Sequence, residues 1–249
     1  KQLNIYKAGG LSLDGFVHQV VTPSDTNIIM TPLPVGGFGC GGFALWDKAN
    51  QKLIPPPEGT RGYVRVLANG PVRSIVQWII PDWQLSTNTV HFTSTLSIYA
   101  GHEWAEHRIK VQGLGTRYRI ATGVPSLGIE SSKNEKEGWL WTLGEQVVDS
   151  RNGGTTSAPT KLGMGLLYPA GRLDTFQDSV SPDSKIGSLT VLLNPDERGE
   201  VVYRFVAVCG EGEMAMQTKG EWEQYVQITA TENHTPPVIN FVPQKPAKK

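Results

Sequence analysis

The segment 97–113, SIYAGHEWAEHRIKVQG, gathers an acid, an imidazole and several cations in a chain that is otherwise weakly charged. If its second half forms a β-strand, alternate side chains point to opposite faces. Trp104, Glu106 and Arg108 then share one face, whereas His107 lies on the other. A sugar acid suits such a polar face, because its ring can stack on tryptophan and its carboxylate can pair with arginine.

Further arginines extend this interpretation. Arg117 and Arg119 follow in TRYRIATG, and Arg65 stands on the polar side of YVRVLAN. Together with Arg108 they are candidates for binding a carboxylate or sulfate, since a guanidinium stays charged and pairs bidentately. The alternative for this segment is an ordinary solvated face, with His107 satisfied in the core.

Other catalytic or cofactor motifs are not supported. The glycines of residues 36–42 are not followed by a helix, so we interpret them as closely packed backbone beside Trp46 and not as a dinucleotide loop. HEWAEH misses the zinc spacing by one residue, and no G-x-S-x-G occurs. Cys40 and Cys209 are expected to be buried free thiols. We predict no metal site at these motifs and no cofactor. Binding of a divalent cation at another position is compatible with the residues.

Charge and hydropathy exclude two classes of partner. The chain has 23 Lys and Arg against 23 Asp and Glu, so no net field favours nucleic acid or an anionic membrane. No apolar run approaches the roughly 20 residues that span a bilayer. The start at Lys1, without a methionine or signal-like stretch, predicts a processed or truncated product that lacks an N-terminal segment or a second chain.

The elements that must position these residues are predicted to be strands. About ten short runs rich in Val, Ile, Thr, Tyr and Trp are separated by Gly and Pro, from YVRVLAN to EWEQYVQITA, and no helical period is evident. In TVHFTSTLSIYA, one face is mainly apolar and the other carries hydroxyls. We predict an all-β protein, a large antiparallel β-sandwich at residues 1–231, with a polar, proline-rich tail at 232–249.

The order of several blocks resembles a known family. GCGGFALWD, NGPVR and YAGHEWAEHR, followed by IATGV and LGMGLLYP, resemble a domain-of-unknown-function family encoded in polysaccharide-utilisation clusters. Some of its members are oligosaccharide dehydratases in bacterial ulvan degradation. The resemblance covers roughly residues 36–228 and implies a galactose-mutarotase-like supersandwich. It also implies a periplasmic or secreted lyase that removes water from a terminal uronic acid of an acidic oligosaccharide, leaving a 4,5-unsaturated sugar. Family members usually carry additional N-terminal strands, which residues 1–27 do not supply.

The chemistry of that elimination selects candidate residues. A base must take the C5 proton, a cation must stabilise the enediolate at the carboxylate, and an acid must protonate the leaving hydroxyl. Glu106 would orient an arginine or histidine, and His107 would need a strand bulge to reach the groove. The candidates are His107 and His18 for the base, Tyr99 and Tyr118 for the acid, and Arg65, Arg108, Arg117 and Arg119 for the carboxylate.

Two other functions remain compatible with the sequence. One is a non-catalytic carbohydrate-binding sandwich, in which Trp46, Trp104 or Trp139 stacks on sugar. The other is a sugar mutarotase or epimerase, because a fold does not fix a function.

Overall fold

The computed structural model describes residues 40–54, 62–86, 88–146, 160–180, 187–209 and 218–234. Within them are thirteen strands, one α-helix and a short 3₁₀ turn at Ala170–Arg172. The strands are β1 Phe43–Asp47, β2 Lys52–Ile54, β3 Tyr63–Asn69, β4 Arg73–Gln84, β5 Thr89–Tyr99, β6 Trp104–Gln112, β7 Tyr118–Pro125, β8 Gly128–Asn134, β9 Trp139–Gln146, β10 Thr160–Leu167, β11 Leu173–Val180, β12 Gly187–Leu193 and β13 Glu200–Cys209; the helix is α1 Lys219–His234.

The strands form two antiparallel sheets. The larger has eight strands in the order β3-β4-β5-β6-β13-β10-β9-β8, and the smaller has five in the order β11-β12-β7-β1-β2. The two sheets share one apolar core, to which Ile109 and Tyr203 contribute from the larger sheet and Ile120 and Val191 from the smaller. The predicted all-β antiparallel sandwich is confirmed.

Alternation along β5 and β6 follows the sequence prediction. Phe92 and Ile109 point between the sheets and are fully buried, whereas Thr95 and Arg108 belong to the opposite, outer surface. The register of β6 with β5 and with β13 runs without interruption. This strand therefore contains no bulge that could exchange its two faces.

The glycine-rich segment enters the sandwich at Gly41, next to the larger sheet. Gly41 has a φ of +76°, and a Cβ there would overlap with the ring of Phe205. Trp46, in β1, is only 4% exposed. Close backbone packing was the predicted role of this segment, and the contacts confirm it at Gly41, whereas residues 36–39 lie outside the described residues.

Of the two cysteines, Cys40 is a buried free thiol, as predicted. Its Sγ donates to the carbonyl oxygen of Val206 at 3.3 Å, and burial raises the thiol pKa to about 12. A thiol so far from ionising is a packing group and not a nucleophile. The side chain of Cys209 lies outside the described residues.

The prediction of a strand at EWEQYVQITA was wrong, because these residues lie in α1. A capping box begins the helix: Thr218 Oγ1 accepts from the Glu221 N–H at 3.2 Å, and Glu221 Oε2 accepts from the Thr218 N–H at 2.9 Å. Trp222, Val226 and Ala230, four residues apart, pack on the outer surface of the larger sheet. The helix runs to His234, into the predicted tail, and residues 235–249 lie outside the description.

Hydropathy along the described part of the chain gives no helix that is both long and apolar enough to cross a bilayer.

Candidate functional site

The outer surface of β3, β4, β5, β6 and β13 carries most of the predicted binding residues, and we call it the polar face. Register places Arg65, Gln77, Thr95 and Arg108 side by side on four consecutive strands. Arg65 Nε donates to Gln77 Oε1 at 2.9 Å, and Gln77 Nε2 donates to Thr95 Oγ1 at 3.0 Å. Arg65 and Arg108 therefore share one face, as the alternation predicts.

One end of the polar face, at the β5–β6 turn, holds an arginine and two aromatic rings. The exposed Arg73 lies over the Tyr99 ring, with 5.0 Å between Cζ and the ring centroid. Its Nη2 donates to Ser97 Oγ at 3.3 Å. Tyr99 contacts Trp104 at 5.5 Å between centroids, and the exposed His102 contacts the same tryptophan at 4.6 Å. The turn thus places a phenol and an imidazole against the same tryptophan, with a guanidinium over the phenol ring.

The middle of the polar face is an alternating network of ion pairs. Arg108 Nη1 lies 2.9 Å from Glu200 Oε2, and Arg108 Nη2 lies 3.7 Å from Glu106 Oε1. Glu106 Oε2 is in turn 3.7 Å from Arg204 Nε. Two arginines and two glutamates largely cancel one another's charge. Glu106 therefore lies between two arginines, Arg108 and Arg204, and its predicted role in orienting an arginine stays a prediction.

Trp104 does not offer a ring to a sugar. It is 7% exposed, because Arg204 lies 4.0 Å above the ring and α1 packs nearby through Trp222. Trp46 and Trp139, the other predicted stacking residues, are each 4% exposed. The expectation that these three rings stack on substrate is corrected: they are structural.

His107 faces the core and not the polar face. Its Nε2 lies 2.6 Å from Ser94 Oγ, and its Nδ1 lies 2.8 Å from the Tyr203 hydroxyl and 3.2 Å from the Gly41 carbonyl oxygen. Burial lowers the imidazole pKa to about 4. Without a bulge in β6 the ring cannot reach the groove, so the structure removes His107 from the candidate bases.

The candidates from TRYRIATG belong to the other sheet. Tyr118, in β7, is 2% exposed and points into the core. Arg119 Nε lies 3.3 Å from Asp174 Oδ1 on the smaller sheet. Arg117 Nε and Nη2 donate to the two oxygens of the Asp47 carboxylate, at 2.8 and 2.6 Å, and this pairing holds the pKa of the Asp47 carboxyl below its usual range. The expectation that Arg117 and Arg119 share a groove with Arg108 was wrong.

The second candidate base, His18, and a metal site are the remaining sequence-based candidates. His18 lies outside the described residues. Among the side chains that are described, no three of His, Cys, Asp and Glu converge on a point that could hold a metal ion.

Sequence reasoning missed three residues of the polar face: Arg73, His102 and Arg204. Arg73 has a detectable signal, because it lies four residues before Gln77 on the same strand and opens the strand after the Asn69–Gly70 turn. His102 was considered only as a metal ligand. Arg204, on β13, is paired with Glu106 on β6, and local patterns do not reveal a pairing between strands so far apart in sequence.

The sequence profile of a family described as Domain of unknown function (DUF4861) matches residues 30–239. No curated protein sequence matches the chain. The match agrees with the resemblance to a family of unknown function and names no activity.

The solved structures that are similar to the chain include the following two. One, assigned as a kojibiose phosphorylase from the human microbiome, has 8% identity and a TM-score of 0.40, over 73% of this chain and 26% of that one. The other, assigned as an aldose 1-epimerase from Klebsiella pneumoniae subsp. pneumoniae MGH 78578, has 7% identity and a TM-score of 0.38, over 75% of this chain and 62% of that one. The chain thus spans less than two thirds of either protein.

Proposed function

The chain belongs to the family described as Domain of unknown function (DUF4861), and we propose that it is a carbohydrate-active lyase that removes water from a terminal uronic acid of an oligosaccharide, leaving a 4,5-unsaturated sugar. One observation carries the proposal. Arg73 lies over the Tyr99 ring, and Tyr99 and His102, which belong to the same turn, both contact Trp104. Elimination from a uronate needs these three kinds of group: a cation, an acid and a base.

Arg73 suits the carboxylate. It is exposed, and its described contacts are a neutral ring and one hydroxyl. Its remaining N–H groups can pair with both oxygens of a carboxylate, in contrast to Arg108, whose charge two glutamates already offset. A cation at the carboxylate makes the neighbouring C5 proton more acidic, because it stabilises the enediolate that forms when the proton leaves.

Tyr99 and His102 suit the proton transfers. The imidazole of His102 takes the C5 proton, and the electron pair of the C5–H bond becomes the new C4–C5 double bond. The C4–O bond then breaks, and the hydroxyl leaves as water with the phenolic proton of Tyr99. Proton exchange with solvent restores both side chains. No oxidant or reductant enters this balance, and none of the roles requires a metal or cofactor.

The proposal sets the partner and the compartment. The substrate is an acidic oligosaccharide, neither nucleic acid nor membrane. Since such fragments arise from polymers outside the cytoplasmic membrane, we place the protein in the periplasm or among secreted proteins. Fractionation of the producing cells tests that location.

The test of the activity is optical. The protein is incubated with uronate-terminated oligosaccharides, and the absorbance of a new C=C conjugated to the carboxylate is followed. We expect absorbance to rise, and Tyr99→Phe to lower the rate about 10²- to 10⁴-fold with unchanged folding, because only the hydroxyl is lost. Tyr63→Phe is the matched control: Tyr63 is 67% exposed on β3 and should leave the rate unaltered.

Other outcomes contradict the proposal. Interconversion of anomers without new absorbance would indicate a mutarotase or epimerase. Binding without any conversion would indicate a carbohydrate-binding module, although the three tryptophans predicted to stack in such a module are buried.

A further inference from the structure

We propose that Arg65 forms a second anion-binding position on the polar face, so that the preferred ligand is an oligosaccharide with two acidic groups on different sugars. The inference rests on the proposed function, because it takes Arg73 as the position of the terminal carboxylate. The inference goes further by naming the class of substrate that the polar face binds preferentially.

The guanidinium of Arg65 is held in one orientation. Its Nε and Nη2 both donate to Gln77 Oε1, and Gln77 is held in turn by Thr95. A guanidinium has five donors in a rigid plane, so the rest of its N–H groups stay available to an anion. Because the side chain is already oriented, an anion binding there costs less rotamer entropy.

The charge of Arg65 is also uncompensated. Glutamates lie beside Arg108 and Arg204 at 2.9 to 3.7 Å. Arg65 and Arg73 have no such partner among the described residues, since their contacts are an amide for Arg65, and a hydroxyl and a phenol ring for Arg73. Among the described residues, the face thus carries two exposed arginines that lack an acid of their own.

The two guanidinium groups are held at different points of the polar face, that of Arg65 by Gln77 and that of Arg73 by Ser97 and the Tyr99 ring. Arg65 is opposite Gln77, which lies four residues along β4 from Arg73. With a rise of about 3.3 Å per residue and about 4.8 Å between strands, their Cα atoms are roughly 14 Å apart. We infer that a ligand contacting both arginines in these orientations runs along β4 and carries its acidic groups on separate sugars.

The experiment compares oligosaccharides of equal length by calorimetry, using the Tyr99→Phe variant so that none is consumed. One carries only the terminal uronic acid, one carries a second uronic acid, and one carries a sulfate in place of the second carboxylate. We expect either second anion to tighten binding about tenfold. Whichever of the two binds more tightly identifies the natural anion.

Arg65→Gln should reduce the affinity for both diacids to that of the mono-acid and leave mono-acid binding within about twofold. Lys52→Gln, the same loss of charge at an exposed position on β2 of the smaller sheet, should change none of the three. Equal weakening of all ligands, or no weakening, would overturn the second position. Because binding is measured apart from turnover, a protein that binds the diacid without eliminating water refutes the lyase and leaves this inference standing.

Discussion

The hydroxyl of Tyr203 lies 2.8 Å from Nδ1 of His107 in the interior of the sandwich and donates to the carbonyl oxygen of Gly41, also at 2.8 Å. Because the Tyr203 hydroxyl uses its hydrogen to donate to Gly41, the neutral imidazole of His107 must carry its own hydrogen on Nδ1. This N–H donates to the tyrosine oxygen. Nε2 is then free to accept from Ser94 Oγ at 2.6 Å. The imidazole and phenol therefore fasten the Gly41 backbone to the larger sheet.

Removing this imidazole should destabilise the protein. His107→Ala leaves a cavity and removes the hydrogen-bond partner of Ser94. We therefore expect the free energy of unfolding to fall by about 2–4 kcal/mol. Urea titration measures the change, and the activity per folded molecule should persist. A variant that keeps its stability and loses turnover would show that His107 is catalytic after all.

The same residue predicts a dependence of stability on pH. Burial lowers the pKa of His107 to about 4 in the folded protein, against about 6.5 in the unfolded chain. Below pH 6.5 the unfolded chain binds the extra proton first, so this contribution to stability is complete above pH 6.5 and is lost as pH falls through 4. Over that window it amounts to about 3 kcal/mol.

His107→Gln provides the comparison for that pH window, because glutamine can still form hydrogen bonds and does not titrate. Unfolding free energies measured from pH 7 to pH 4 should fall less steeply in the variant than in the parent protein. Parallel pH profiles would mean that the imidazole does not govern the acid response.

Local alternation was enough to predict the polar face but not the sheet to which each strand belongs. The bounds of β3 and β6 match the predicted runs, and period-2 patterning separated Arg108 from His107. Arg117 and Arg119 are close to β6 in sequence, yet β7 pairs with β1 and β12. Pairing between distant strands depends on tertiary packing, which the single sequence does not contain in readable form.

The burial of the tryptophans was missed for a similar reason, because it depends on tertiary packing. Trp104 was predicted on a polar face, and it does lie there, but α1 covers that part of the sheet. The helix was mistaken for a strand because Tyr225, Val226, Ile228 and Thr229 favour strands. Its Thr218–Glu221 capping box was the signal that could have identified it, and a helix over the sheet would have predicted a buried Trp104.

Docking of α1 makes a further prediction, at Gly163 in β10. A Cβ at Gly163 would lie 3.0 Å from the ring of Trp222. Gly163→Ala should therefore push the helix outward, lower the free energy of unfolding by about 1–3 kcal/mol and shift tryptophan fluorescence. Gly171→Ala is the matched control, since a Cβ there meets nothing within 4 Å and the unfolded chain loses entropy. Equal stability of the two variants would contradict this packing.

Arg73 and Arg108, both on the polar face, should respond differently to the same substitution. Arg73→Gln removes a cation without an acid partner, and we expect kcat/KM for uronate-terminated oligosaccharides to fall about 10²- to 10³-fold. Arg108→Gln removes a cation that Glu106 and Glu200 already offset, so kcat/KM should fall less than about tenfold and stability by at most about 1 kcal/mol. Steady-state kinetics on both variants, with circular dichroism to verify folding, decides between them. The reverse order would assign the carboxylate to Arg108 and remove the observation that carries the proposed mechanism.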